Sequence, residues 1–200
     1  MPLDRYVPQP AALRALSHPV RLRLLGLLRS DGPSTATRLA ERLGLNSGAT
    51  SYHLRQLAAH GYVAEDTERG TGRDRWWRSV HRSTWTDEEG GDQAGRDAVD
   101  ALVQGLAVVH TEQLQRAVEE RQLLPPEWRR ASTISDWRLH LDPEQAHTLL
   151  EELVALLETY RSQDPEPEDA PPGTAQVIFQ LHAFPRPGTV ARGDDGEEPA

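Results

Sequence analysis

The sequence predicts an α+β chain that is mainly helical. Three observations point there. Two short amphipathic helices between residues 34 and 60 are joined by only a few residues, Gly44 among them. A hairpin with a Gly-rich tip follows them. One unbroken helical pattern then runs from 96 to 124, and beyond it strand-like and helix-like periods alternate.

Taken in order, "QPAALRAL" (9–16) reads as a short helix with Pro10 in its first turn. In "SHPVRLRLLGLLRSDG", Ser17 is the expected N-cap, Pro19 suits the first turn, and Val20, Leu24, Leu27 and Leu28 share one stripe. Gly32 and Pro33 end that helix. In "STATRLAERLGLN", Ser34 is the expected cap, Leu39 and Leu43 are spaced for burial, and Gly44 fits a left-handed C-terminal position. The next helix runs from about Ser47 to His60 and stops at Gly61. Two helices with so short a connection have the spacing of a helix-turn-helix.

"YVAEDTERGTGRDRWWRSV" changes period. Tyr62, Val63, Trp76, Trp77 and Val80 are strand formers, and "ERGTGRD" between them is a turn. The long helix carries Val99, Leu102, Val103, Leu106 and Val109 at spacings of three and four, and Pro125-Pro126 stops it. A stripe of that length exceeds what a small domain covers, so Leu102, Leu106 and Val109 are expected at an interface with a second copy, packing on the C-terminal segment being the alternative. Trp137, Leu139 and Leu141 alternate as a strand. Asp142, Pro143 and Glu144 then start a helix, and Val177, Phe179, Leu181 and Ala183 alternate as a last strand. The organisation expected is a first domain at 9–82, a linker at 83–95, the long dimerisation helix at 96–125, a strand-helix-strand unit at 126–187 and a loose tail at 188–200.

With 200 residues the chain can bury a real core. Mean hydropathy is -0.63, and no run of 18 apolar residues occurs, so a membrane span is not expected. "MPLDRYVPQP" lacks the basic-then-apolar run of a signal peptide, and a cytoplasmic chain is expected. There is no cysteine, which excludes disulfides, thiolate metal sites and cysteine catalysis. Neither a G-x-S-x-G, a P-loop nor a G-x-G-x-x-G is present, so the chain is not expected to be an enzyme, and no cofactor is expected.

The net charge of -9 hides an asymmetry. Residues 1–85 hold 13 Arg against 7 Asp and Glu, a net of +6; residues 86–200 hold 9 Arg against 24, a net of -15. A basic first half on an acidic chain suggests a local polyanion site. All 22 cations are Arg, the residue that makes planar two-pronged contacts with phosphate or guanine.

The helix 47–60 supplies the chemistry. At 100° per residue, with Leu54 at zero, Leu57, Ala58 and Thr50 fall within about 60° of it. Tyr52, Gln56, Ala49 and Arg55 fall on the far side, between about 100° and 220°. A B-DNA major groove admits such a helix. Arg55 can reach a guanine or a phosphate and Gln56 an adenine edge. Ser51 and Tyr52 can bond phosphate or base, and Ala49 permits close approach. Ser47 and His53 complete the candidate set. Arg73 and Arg75 flank the hairpin tip, a layout suited to the backbone or the minor groove.

Residues 12–80 resemble the winged helix-turn-helix of ArsR-type (arsenic-repressor-like) transcriptional regulators. The resemblance rests on "LSHPVRLRLLGLL" (16–28), "LAERLGLNSGATSYHLRQLAAHGYV" (39–63) and the Arg-Gly-rich wing followed by "RWWRSV". It implies a homodimeric DNA-binding protein, a repressor of a pseudo-palindromic operator, released by an effector. The chain departs from the metal-sensing branch. It has no Cys, and Asp100 and His110 stand about 15 Å apart along the long helix, too far to share a metal within one chain. A cross-dimer His/carboxylate site is the metal-responsive alternative, and no metal residue is assigned.

The C-terminal unit is the candidate effector region for a small molecule. Trp137 and Phe179 are aromatics for an apolar pocket, and His140 and His182 stand on the strand faces opposite the apolar ones. A winged helix used only for protein association is the competing reading. The acidic half permits it, and the hydrogen-bonding helix face argues against it.

Overall fold

A computed structural model describes residues 5–6, 8–69, 74–84, 92–161 and 169–190. It divides the chain into two units, residues 1–134 with 165–174, and residues 135–164 with 175–200. The first unit holds nearly all the elements. Helices α1 (Pro10–Leu16), α2 (Pro19–Ser30), α3 (Ala36–Leu43) and α4 (Ser47–Ala59) are followed by the hairpin strands β3 (Val63–Glu65) and β4 (Trp76–Ser79). A two-residue strand β2 (Ser34–Thr35) completes an antiparallel sheet in the order β2-β4-β3. A second pair joins β1 (Arg5–Tyr6) to β5 (Ser83–Thr84) in parallel. Helix α5 (Gln93–Glu120) runs on through a 3-10 turn to the short helix α6 (Pro126–Arg130).

The local chemistry explains the boundaries. Asn46 caps α4, its side chain accepting from the Ala49 amide at 2.7 Å. Gly44 closes α3 at φ 64° and Gly61 follows α4 at φ 76°, both in the left-handed region that side chains avoid. At α2 the cap is His18 rather than the expected Ser17. The His18 ring nitrogen Nδ1 accepts from the Val20 amide at 3.1 Å, while Ser17 closes α1 by donating its hydroxyl to the Arg14 carbonyl at 2.8 Å. At α3 the cap is Thr35 rather than Ser34, because Ser34 is drawn into pairing with Trp77.

One core joins these pieces. Leu13, Leu16, Leu24, Leu25, Leu28, Leu39, Leu54, Leu57, Tyr62, Val63 and Trp77 are buried together, and Ala98 and Leu102 of α5 belong to the same cluster. Tyr6 braces its edge by donating to the His60 carbonyl at 3.0 Å and stacking on His81 at 4.6 Å.

The burial of α5 corrects an expectation. Leu102 and Val109 are only 4% and 6% exposed, and Leu106 is half-buried against the core. That side of the helix lies on α1 and α2 of its own chain, which takes up the side chains of Leu102 and Val109 and part of Leu106. Gly105 allows the contact: a Cβ there would collide with the Ser17 carbonyl oxygen. The ion pair from Arg23 of α2 to Glu112 of α5, at 2.5 Å, holds the next two turns. The outward apolar residues of α5 are Val103, Val108, Leu114 and Val118.

In the second unit, α7 (Pro143–Arg161) forms as its start signal predicts. The Asp142 carboxylate accepts from the Gln145 amide at 2.8 Å and the Gln145 side chain accepts from the Asp142 amide at 3.0 Å, a reciprocal cap. The two flanking strands are not found: among the described residues, 135–142 and 174–186 carry no strand assignment. An alternating pattern makes a strand only when a second backbone completes its ladder.

Candidate nucleic-acid interface

Helix α4 is two-sided. Thr50, Leu54 and Leu57 are fully buried, and the Thr50 hydroxyl donates to the Asn46 carbonyl at 3.1 Å, which satisfies it inside the core. On the other side Tyr52 is 51% exposed, Arg55 is exposed and Gln56 is half-exposed. Ser47 is exposed at the N-terminus, with Ala49 and Ser51 half-buried beside it. The packing of α3 against α4, with the α2 leucines beneath, fixes which face looks out.

His53 lies in the middle of α4, next to Tyr52. Its ring is half-buried, 4.7 Å from His18 and 5.5 Å from Tyr52, and its Nδ1 is buried without a hydrogen-bond partner. Burial first, then the neighbouring His18 and Arg21, holds it below the ordinary histidine value.

The wing is less cationic than its arginines suggest. Residues 65–75 hold three Arg against four Asp and Glu, a formal net of -1. Arg75 contacts Glu65 at 3.2 Å and Arg69 contacts Asp66 at 3.5 Å. Arg73 lies outside the described residues. The hairpin register, which sets Glu65 opposite Trp77, brings Arg75 against Glu65; the linear sequence does not display that partnership.

Sequence reasoning missed Arg38. It stands in the first turn of α3, exposed, with its guanidinium 4.9 Å from the Trp76 ring centroid. The signal lay in the run "STATR" once Thr35 and Trp76 are known to pair, and β2 is too short for periodicity to find.

The C-terminal candidates are exposed. Trp137 and Phe179 are 78% and 69% exposed, and His140 and His182 are exposed. The strands on which these residues were expected are not assigned among the described residues. No group of three His, Cys, Asp or Glu with metal-holding geometry occurs among the described residues, and no helix there is long and apolar enough to cross a membrane.

Helices α3 and α4, their Gly44 turn and the β3–β4 wing define a winged helix-turn-helix. Residues 16–65 match the family described as a helix-turn-helix domain. The chain is similar to the HTH-type transcriptional regulator YgaV of Escherichia coli (strain K12), 36% identical over 63 residues, covering 32% of this chain and 62% of that protein. This chain thus spans less than two thirds of that relative. Among solved structures it is similar to a possible transcriptional regulator for arsenical resistance, at 28% identity and a TM-score of 0.31, covering 52% of this chain and 93% of that one. The regulator Tm0710 of Thermotoga maritima is similar at 12% identity and a TM-score of 0.27, over 74% of this chain and 78% of that one.

Proposed function

We propose that the chain is a sequence-specific DNA-binding transcriptional regulator of the ArsR type, a cytoplasmic repressor working as a homodimer. Helix α4 enters the major groove and presents Tyr52, Arg55 and Gln56 to base edges, with Ser47, Ala49 and Ser51 beside the phosphates. Wing residues Arg73 and Arg75 reach the backbone or the minor groove, Arg75 by exchanging Glu65 for phosphate. The observation that carries this reading is the two-sidedness of α4: Leu54 and Leu57 fully buried, Tyr52 half in solvent and Arg55 exposed.

Dimerisation uses the outward face of α5, where Val103, Leu114 and Val118 are exposed at spacings of eleven and four residues. Two-fold symmetry then places two copies of α4 on half-sites roughly 34 Å apart. Release by a small non-metal effector fits a chain without cysteine.

A salt titration of duplex binding tests the reading. Neutralising several phosphates makes log K fall linearly with log salt, at about 0.9 per phosphate. Steep weakening is the expected result. Binding to no duplex, together with salt-insensitive association with a protein, would establish the protein-association reading instead.

A further inference from the structure

We propose that Arg38, Trp76 and Arg78 form a second phosphate-contacting surface, on the seam between α3 and the wing sheet. This rests on the DNA-binding reading above. Strand β2 feeds directly into α3, and its register sets Thr35 opposite Trp76. The Thr35 hydroxyl caps α3 by accepting from the Arg38 amide at 3.3 Å. One turn of helix thus brings the Arg38 side chain back over the strand that its own N-cap pairs with, and the guanidinium settles 4.9 Å from the centre of the Trp76 ring. A ring in that position orients the planar fork without consuming its N–H groups, which remain available to an anion.

Arg78 belongs to the same surface. Residues two apart on a strand share a face, about 7 Å apart. Trp77 between them is buried, so Trp76 and Arg78 both point outward, and Arg78 is exposed.

The charge pattern separates this seam from the wing. Arg75 and Arg69 are engaged with Glu65 and Asp66, Arg42 with Asp31, and Arg23 with Glu112. Among the described residues neither Arg38 nor Arg78 has a carboxylate partner. A cation in the first turn of a helix also works against the helix dipole, so its position there gains the isolated chain little. A duplex backbone supplies the missing anion: the first helix of a helix-turn-helix crosses the sugar-phosphate backbone while the second lies in the groove. The occupant of this seam is therefore backbone phosphate, read without regard to sequence.

The test is anisotropy of a labelled operator-length duplex and of an unrelated duplex, each over a salt series, with the full chain and its variants. Arg38→Ala is expected to weaken both duplexes alike, by roughly tenfold, the worth of one charge-assisted hydrogen bond. Its log–log salt slope is expected to be shallower by about 0.9, one phosphate fewer. Arg38→Lys is expected to keep the slope and lose part of the affinity, and Trp76→Phe to weaken binding less than Arg38→Ala. Because Arg38 is exposed, the melting curve of Arg38→Ala should match that of the parent. A parent chain with steep salt dependence alongside an Arg38→Ala variant of unchanged affinity and slope would overturn the seam alone. A parent chain that binds neither duplex would remove the DNA-binding reading itself, and the seam with it.

Discussion

The rings of His18 and His53 lie 4.7 Å apart, centroid to centroid, where the start of α2 meets the middle of α4. Both titrate below the ordinary histidine value. Partial burial is the main cause for each; Arg21 adds to it at His18, and His18 and then Arg21 add to it at His53. The folded state therefore binds fewer protons than the unfolded chain below about pH 6.5. Stability is complete above that pH and falls as the solution is acidified, until the lowered folded values are passed. The urea midpoint should decrease from pH 7.5 to pH 5.5. In a His18→Asn, His53→Gln double variant the decrease should be smaller, and an equal decrease would assign the pH dependence to other groups.

Gly105 should resist substitution. A methyl group there meets the Ser17 carbonyl and Leu22, both held by the packing of α1 and α2. Gly105→Ala should cost about 1–3 kcal/mol of unfolding free energy, in spite of alanine's better helix propensity. Gly26, in the middle of α2 with nothing near its missing Cβ, is the control. Gly26→Ala should stabilise by about 0.5–1 kcal/mol. Denaturant titrations of the two variants should move in opposite directions.

The two sides of α5 should answer differently to charge. Val103 is 54% exposed and Leu102 lies in the core. Val103→Glu should leave the circular dichroism of the fold intact and yield monomers by light scattering. Leu102→Glu should unfold the chain, since an unpaired carboxylate in the core costs several kcal/mol. A Val103→Glu chain that stays dimeric would place the dimer contact elsewhere.

Gln56 and Arg55 should differ in what they control. Gln56→Ala should relax preference at one base pair by about 1–3 kcal/mol while leaving binding to unrelated duplexes unchanged. Arg55→Ala should weaken binding by a similar amount and leave the melting temperature unchanged, because its side chain is exposed. Competition against a panel of single-base variants measures both.

What the sequence made legible follows the range of the interactions involved. Helix α4 was readable because Thr50, Leu54 and Leu57 against Tyr52, Arg55 and Gln56 is a local pattern that Gly61 ends; its Asn46 cap appears only in the structure. The Asp142-Pro143 start of α7 was local too. The apolar stripe Val99, Leu102, Val103, Leu106 and Val109 falls within one arc of about 120°, but the buried side of α5 is turned from the centre of that arc toward Ala98 and Gly105, small residues that an apolar stripe does not weight. Gly105 stands on that side, against the Ser17 carbonyl, but Gly26 of α2 meets nothing, so a mid-helix glycine alone does not tell the two cases apart. The strands β1, β2 and β5 are two residues each, below any periodicity. Their consequences, the Thr35 cap and the Arg38–Trp76 contact, were hidden with them. In the wing, counting arginines overlooked Glu65 and Asp66, whose pairing with Arg75 and Arg69 appears only in three dimensions.

Selection of bound duplexes from a random pool tests the central claim, that the outer face of α4 reads bases. The predicted result is an enriched site with two symmetric half-sites, whose preferred bases change when Gln56 is replaced. A pool that enriches no site, or a site indifferent to substitution at Tyr52, Arg55 and Gln56, would contradict it.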